Sequence, residues 1–207
     1  MTDLLRMSAE VAEALARGRP VVALETSIVG QGLPAPHNLR AARDCESAIR
    51  KEGAVPATIG VLDGQIVVGL TDAEVERIAG GAIKVSSRDL GPALVRYVVG
   101  ATTVAATMRA AEMAGIRCFA TGGIGGVHRG HSEDQSADLV ELGLTGVAVF
   151  CAGAKIILDL AYTLERLESL SVPVLDTDAM SYPLFTPGTA AARSRPESTG
   201  QRRRRPC

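Results

Sequence analysis

The chain has 207 residues, 46% hydrophobic, 22% charged and 3% aromatic, with a formal net charge of −1. A chain of this length buries enough surface for a core without disulfides, and its near-neutral balance argues against a nucleic-acid or anionic-membrane surface. No apolar run reaches the ~18 residues of a membrane span, the start lacks a signal-peptide pattern, and Cys45, Cys118, Cys151 and Cys207 show no CxxC spacing; the expectation is a cytoplasmic protein with reduced thiols.

Residues 4–17 have helical period and propensity. Pro20 then opens the short apolar strand Val21–Thr26. Two glycines and two prolines make residues 30–36 a loop, before a helix over Pro36–Glu52 with proline in its first turn. Thr58–Leu62 and Gln65–Gly69 flank Asp63-Gly64, a type I′ hairpin signal. Thr71 is read as an N-cap, with Glu74 three residues on.

The second half repeats the alternation. A helix at about 101–114 ends at Gly115, and Ile116–Thr121 follows as a strand. The glycine-rich loop Gly122–Gly130 leads to a helix near 134–142. Val147–Cys151 is a continuously apolar strand that expects burial on both faces. A helix from about Lys155 to Ser169 and a strand Val172–Leu175 close the series. Strands alternating with helices imply an α/β fold, three-layer α/β/α, with a largely parallel or mixed sheet and a β-hairpin extension near residue 64. Residues 1–185 are expected to form one domain. Residues 186–207 are nearly devoid of apolar side chains and are expected to be a disordered, arginine-rich tail. Arg202–Arg205 reads as an anion-binding tail or, more simply, a solvated charge run.

Of the 22 basic residues only Lys51, Lys84 and Lys155 are lysines. Where arginine is written almost everywhere, a retained lysine hints at a need for a primary amine, since a guanidinium neither deprotonates nor forms an imine. Lys51 sits in a polar run, whereas Lys84 and Lys155 interrupt apolar ones. Lys155, read as a buried helix start, would be disfavoured as an ammonium by burial and by the helix dipole. A neutral amine there is a nucleophile for sugar carbonyls. Cys151 beside it reads as core.

In open α/β sheets ligands bind beyond the carboxyl ends of strands. Glu25-Thr26-Ser27 ends the first strand, and Thr121 runs into Gly-Gly-Ile-Gly-Gly-Val-His-Arg-Gly-His. Glycines free backbone N–H groups to face an anion, and Thr121, His128 and Arg129 can donate to phosphate. The stretch is neither a Walker loop nor a dinucleotide fingerprint. His128, His131, Glu133, Asp134 and Asp138 fall close together, a carboxylate-rich set suiting Mn²⁺ or Mg²⁺ better than zinc. On a helix Asp134 and Asp138 would share a face; equally, the acids would merely stabilise a helix N-terminus.

These segments resemble the pseudouridine-5′-phosphate glycosidase family, also called the indigoidine synthase A family. The resemblance rests on Ala23-Leu-Glu-Thr-Ser, Gly53–Ile59, Leu62-Asp-Gly, Gly69-Leu-Thr, Lys84-Val-Ser-Ser-Arg-Asp-Leu, Gly100–Thr107, Phe119–Gly130, Ser136-Ala-Asp-Leu and Cys151–Asp159, collinear from about residue 20 to 175. It implies reversible cleavage of the C–C glycosidic bond of pseudouridine 5′-phosphate to uracil and ribose 5-phosphate, with Mn²⁺, in a homotrimer. By this resemblance Lys155 is the imine-forming nucleophile and Glu25 the proton donor. Lys84 and Val104 contact substrate, Thr121 and His128 lie at the phosphate loop, Ser136, Ala137 and Asp138 form a substrate segment, and Asp134 holds the metal. Family members continue beyond this chain, so it is expected to be C-terminally truncated or frame-altered relative to them. The alternatives are a Schiff-base lyase on another sugar phosphate and an inactive remnant.

Overall fold

The computed structural model describes residues 4–175 and the backbone of Leu184 and Phe185. The chain begins with β1 (Leu5–Met7), α1 (Ala9–Ala16), β2 (Val21–Leu24), a π-helical turn at Ile28–Gly32 and α2 (His37–Lys51). β3 (Val55–Leu62) and β4 (Gln65–Val68) are joined by Asp63 and Gly64 at φ 53° and 76°, the two left-handed residues a type I′ turn demands. α3 (Asp72–Ala79) starts on a capping box: the Thr71 hydroxyl accepts from the Glu74 N–H at 3.4 Å while the Glu74 carboxylate accepts from the Thr71 N–H at 2.8 Å. Then come β5 (Ile83–Val85), α4 (Leu90–Val95), β6 (Gly100–Thr102), α5 (Val104–Met113) and β7 (Cys118–Ala120). The last third holds β8 (Val127–His128), β9 (His131–Gln135), α6 (Ala137–Leu144), β10 (Ala148–Phe150), β11 (Ala154–Lys155), β12 (Leu158–Asp159), α7 (Leu160–Ser169) and β13 (Leu184–Phe185).

An eight-stranded mixed sheet organises the fold in the order β1-β4-β3-β2-β7-β10, with β6 pairing β3 and β5 pairing β6. β2 is parallel to β3 and β7, whereas β4 and β6 run antiparallel to β3. All eight residues of β3 are buried. The twofold alternation of strand side chains sends Val55, Ala57, Ile59 and Val61 into a cluster with Val11, Ala93 and Met108 of α1, α4 and α5. Leu62 and Val67 enter a second cluster with Ala42, Val75 and Ile78 of α2 and α3. Helices therefore cover both faces, the α/β arrangement the alternation implies. A satellite cluster of Val127, Leu139 and Leu167 seats α6 and α7 on a small antiparallel sheet, β12-β8-β9.

Several sequence expectations are corrected. Residues 5–7 are a strand, not helix, because they pair in register with Ile66–Val68, and Ser8 caps α1 only afterwards. Val147–Cys151 is not covered on both faces: Phe150 is 59% exposed, and among the described residues β10 is the sheet edge. The helix placed at 134–142 starts at Ala137, where Ser136 supplies the cap, so Asp134 lies in β9 and does not share a helical face with Asp138. Lys155 does not begin a helix. α7 begins at Leu160, capped by Asp159, and residues 172–175 form no strand. The expected tail at 186–207 lies outside the described residues. Among the described residues no helix is long and apolar enough to cross a membrane.

Candidate active site

The site begins where β3 changes partners along one edge. β2 pairs with Val55–Thr58 and β6 takes over at Gly60 and Val61. At the fork between them the Ile59 carbonyl accepts the hydroxyls of Thr26 at 2.8 Å and Thr102 at 2.7 Å. The Thr102 N–H donates to the Thr26 hydroxyl at 2.9 Å, and Thr107 donates to Thr102 at 3.0 Å. All three threonines are fully buried, so each hydroxyl must find a partner inside the protein. The fork fixes the end of β2, and with it the next residue back, Glu25.

The Glu25 carboxylate accepts hydroxyls from Ser27 and Thr121. Burial pushes its pKa up above the usual carboxylate range, and the negative charge of Asp138 adds to the rise. The two hydroxyls and the positive charge of Lys155 pull the other way without cancelling it. A carboxyl so placed retains a proton to higher pH, the property of a general acid.

Asp138 is buried at the start of α6. One oxygen accepts the Ala105 N–H at 2.9 Å, in the first turn of α5, and the other accepts the Gly125 N–H at 2.8 Å. The glycine-rich loop has no room for side chains here. A Cβ at Gly125 would lie 2.2 Å from Ser136 Oγ, and one at Gly126 would lie 2.5 Å from Thr163 Oγ1. These two glycines serve close packing.

A second loop runs beside the first. The Ile124 N–H donates to the Gly153 carbonyl at 3.1 Å, and the Lys155 N–H donates to the Ile124 carbonyl at 3.3 Å. Lys155 is thus placed by the backbone of the glycine-rich loop, and its side chain is exposed; the burial read from its apolar neighbours is absent because Ile156 and Ile157 are exposed as well. Arg129, read as a phosphate donor, instead donates to the carbonyls of Leu158 at 3.0 Å and Ile156 at 2.9 Å. Thr121 is occupied with Glu25. Cys151 is half-buried, and burial raises its thiol pKa, which fits a packing role.

His128 and Asp134 meet across the β8–β9 hairpin, Nδ1 to Oδ2 at 3.3 Å. His131 and Glu133 are exposed on the same strand. Among the described residues no three His, Cys, Asp or Glu side chains gather into a metal-binding group. One exposed carboxylate with one imidazole suits a hard or borderline ion that keeps most of its waters, rather than a closed protein cage. Lys84 is exposed in β5, one residue before Val85, whose carbonyl accepts the Thr103 N–H at 3.0 Å. Val104 is buried at the first position of α5, and Ala137 is exposed at the first position of α6. The structure thus brings Glu25, Thr121, Asp138 and Lys155 together, and places His128 with Asp134 on the adjoining hairpin. The hydroxyls of Thr26, Thr102 and Thr107 were missed by sequence reasoning; the polar Glu25-Thr26-Ser27 ending an apolar strand was their only signal.

A profile of the family described as Indigoidine synthase A like protein matches residues 10–200, a longer span than the motifs alone define. The chain is 56% identical over 187 residues to a pseudouridine-5′-phosphate glycosidase of Chloroflexus aurantiacus, covering 88% of this chain and 61% of the relative. It is 54% identical over 186 residues to a protein of the same name from Myxococcus xanthus, covering 87% and 61%. Among solved structures, the prealnumycin C-glycosynthase AlnA in complex with ribulose 5-phosphate superposes with a TM-score of 0.77 at 48% identity, over 84% of this chain and 57% of that one. An indigoidine synthase A-like protein of Thermotoga maritima gives 0.81 at 34% identity, over 88% and 61%. The chain spans about three fifths of the length of these curated relatives.

Proposed function

The chain belongs to the Indigoidine synthase A like protein family, and from that premise we propose that it serves reversible cleavage of the C–C glycosidic bond of pseudouridine 5′-phosphate to uracil and ribose 5-phosphate. The names of the curated relatives support the reaction, and the sugar phosphate held by AlnA supports the substrate class. The observation that carries the reading is the juxtaposition of a proton-retaining carboxyl, Glu25, with the amine-bearing loop of Lys155 beyond the ends of β2 and β7.

A C–C glycoside has no heteroatom leaving group, so protonation and departure alone do not release the base. In the proposed sequence the Lys155 amine adds to the sugar C1 as the ring oxygen departs, taking the Glu25 proton. The added nitrogen gives up a proton, and its lone pair then forms C1=N while the C1–C5 bond breaks toward uracil, which takes up that proton at C5. Water adds to the imine and frees ribose 5-phosphate and the amine. The imine is the electron sink that makes the bond breakable. Thr121 and Ser27 hold Glu25 in place, while Lys84, Val104, His128, Ser136 and Ala137 are read as the substrate-facing set. Asp134, with His128 beside it, would hold Mn²⁺, which supplies charge neutralisation for the phosphate when bound. The resemblance further supports a homotrimeric, cytoplasmic protein.

Borohydride reduction of the chain in the presence of ribose 5-phosphate or pseudouridine 5′-phosphate, followed by peptide mapping, tests the reading. A reduced adduct on Lys155 from both compounds is expected. An adduct on Lys51, or none, overturns it; an adduct formed with other sugar phosphates but not with pseudouridine 5′-phosphate favours a lyase of different substrate.

A further inference from the structure

Asp138 occupies an unusual position for a residue expected to contact substrate. Its two oxygens each receive a backbone N–H, from Ala105 and from Gly125, at 2.9 and 2.8 Å. The Ser136 hydroxyl accepts the N–H of Asp138 itself at 3.2 Å, which fixes the first turn of α6 around the carboxylate. Gly125 touches this group so closely that a Cβ there would lie 2.9 Å from Asp138 Oδ2. The carboxylate is therefore sealed between three chain segments: the glycine-rich loop, the start of α5 and the start of α6. The N-terminus of α5 carries partial positive charge and meets this carboxylate through the Ala105 N–H.

We propose that Asp138 is a positioning residue: its carboxylate clamps the glycine-rich loop onto the N-terminus of α5 and presents a fixed negative charge to Glu25. Two consequences follow from one side chain. The clamp sets the path of residues 121–126, which deliver the Thr121 hydroxyl to Glu25 and the Ile124 carbonyl to the Lys155 N–H. The charge opposes ionisation of Glu25, against the hydroxyls of Ser27 and Thr121 and the positive charge of Lys155, which face the same carboxyl. The clamp stands on the hydrogen bonds alone; the value of the charge to proton donation rests on the function proposed above.

The test is made on the full 207-residue chain by carbon-13 NMR titration of the Glu25 carboxyl and by amide hydrogen exchange, so that neither readout needs turnover. In Asp138→Asn the titration midpoint of Glu25 is expected to fall, and the Ala105 and Gly125 amides to exchange at least about tenfold faster, as loss of a charge-assisted hydrogen bond implies. Asp138→Glu keeps the charge but its longer side chain does not span both N–H groups; it should return the Glu25 midpoint toward that of the unaltered chain while the two amides stay fast. A Glu25 midpoint unmoved by Asp138→Asn, or amides still protected in it, overturns the proposal. If Asp138→Asn does not fold, Asp138→Glu decides alone: amides as slow as in the unaltered chain, or a lowered Glu25 midpoint, overturn it. Failure of the imine reading would show separately, as absence of a borohydride adduct on Lys155 with these midpoints unaffected.

Discussion

Glu25 and Lys155 belong to one site but stand on different ground. Glu25 leaves a strand pinned by three buried threonines to the most enclosed strand of the sheet. Lys155 lies on a two-residue strand beyond the edge strand β10, next to exposed Ile156 and Ile157, and is held by backbone hydrogen bonds of 3.1 and 3.3 Å between two loops. The carboxyl half of the site is thus enclosed by the core, whereas the amine half leaves the core at buried Ala154 and ends on an exposed side chain. The difference teaches that the proton-holding function is set by packing around the carboxyl, whereas the amine is placed through its backbone and its side chain is left exposed.

Substitutions test this contrast. Lys155→Met should abolish the borohydride adduct while leaving the thermal midpoint nearly unchanged, since an exposed side chain contributes little to folding; a large loss of stability would erase the distinction between the halves. Glu25→Gln should lower turnover by roughly 10²-fold or more, with phosphate binding, followed by calorimetry, nearly intact. The same variant carries a pH signature. Because the folded-state pKa of Glu25 is raised, the native state holds its proton longer than the unfolded chain, and stability falls as pH rises through the interval from the ordinary to the raised value. Glu25→Gln should therefore melt higher than the unaltered chain above that interval, an advantage absent below the ordinary value. Ile59→Ala, beneath the fork, should cost about 2–5 kcal/mol in denaturant unfolding. Thr102→Val should cost about 1–3 kcal/mol, because the Ile59 carbonyl and Thr107 lose a buried partner. Phe150→Ser, on the exposed edge, should shift stability by only about 0.5 kcal/mol; a larger cost would mean the edge is more enclosed than its 59% exposure indicates.

What the sequence reveals divides along similar lines. The Asp63-Gly64 turn and the Thr71–Glu74 cap are legible because their interactions close within four residues. The strand at 5–7 is hidden because its apolar spacing also fits a helix, and only pairing with Ile66–Val68 decides between them. The apolar run Ile156–Leu158 reads as the first turn of α7 with Lys155 ahead of it, yet α7 starts only at the Asp159 N-cap, and Lys155 is held by its N–H to the carbonyl of Ile124, 31 residues upstream. Composition marks Val147–Cys151 for the interior without saying that, among the described residues, β10 has a neighbour on one side only. The residues around the carboxyl were visible as polar punctuation after apolar strands. Their hydroxyl network was not, because each bond joins segments far apart in the chain.

That remoteness governs when the site comes into being. Thr26 and Thr102 are 76 residues apart and meet on one carbonyl, a contact that requires the loop-closure entropy between them to be overcome. An incompletely folded molecule, even one with most of its helices in place, would carry Glu25 on an unanchored strand end in contact with water, where it would titrate like any free carboxyl. Chemical competence is in this way withheld until the tertiary structure is finished.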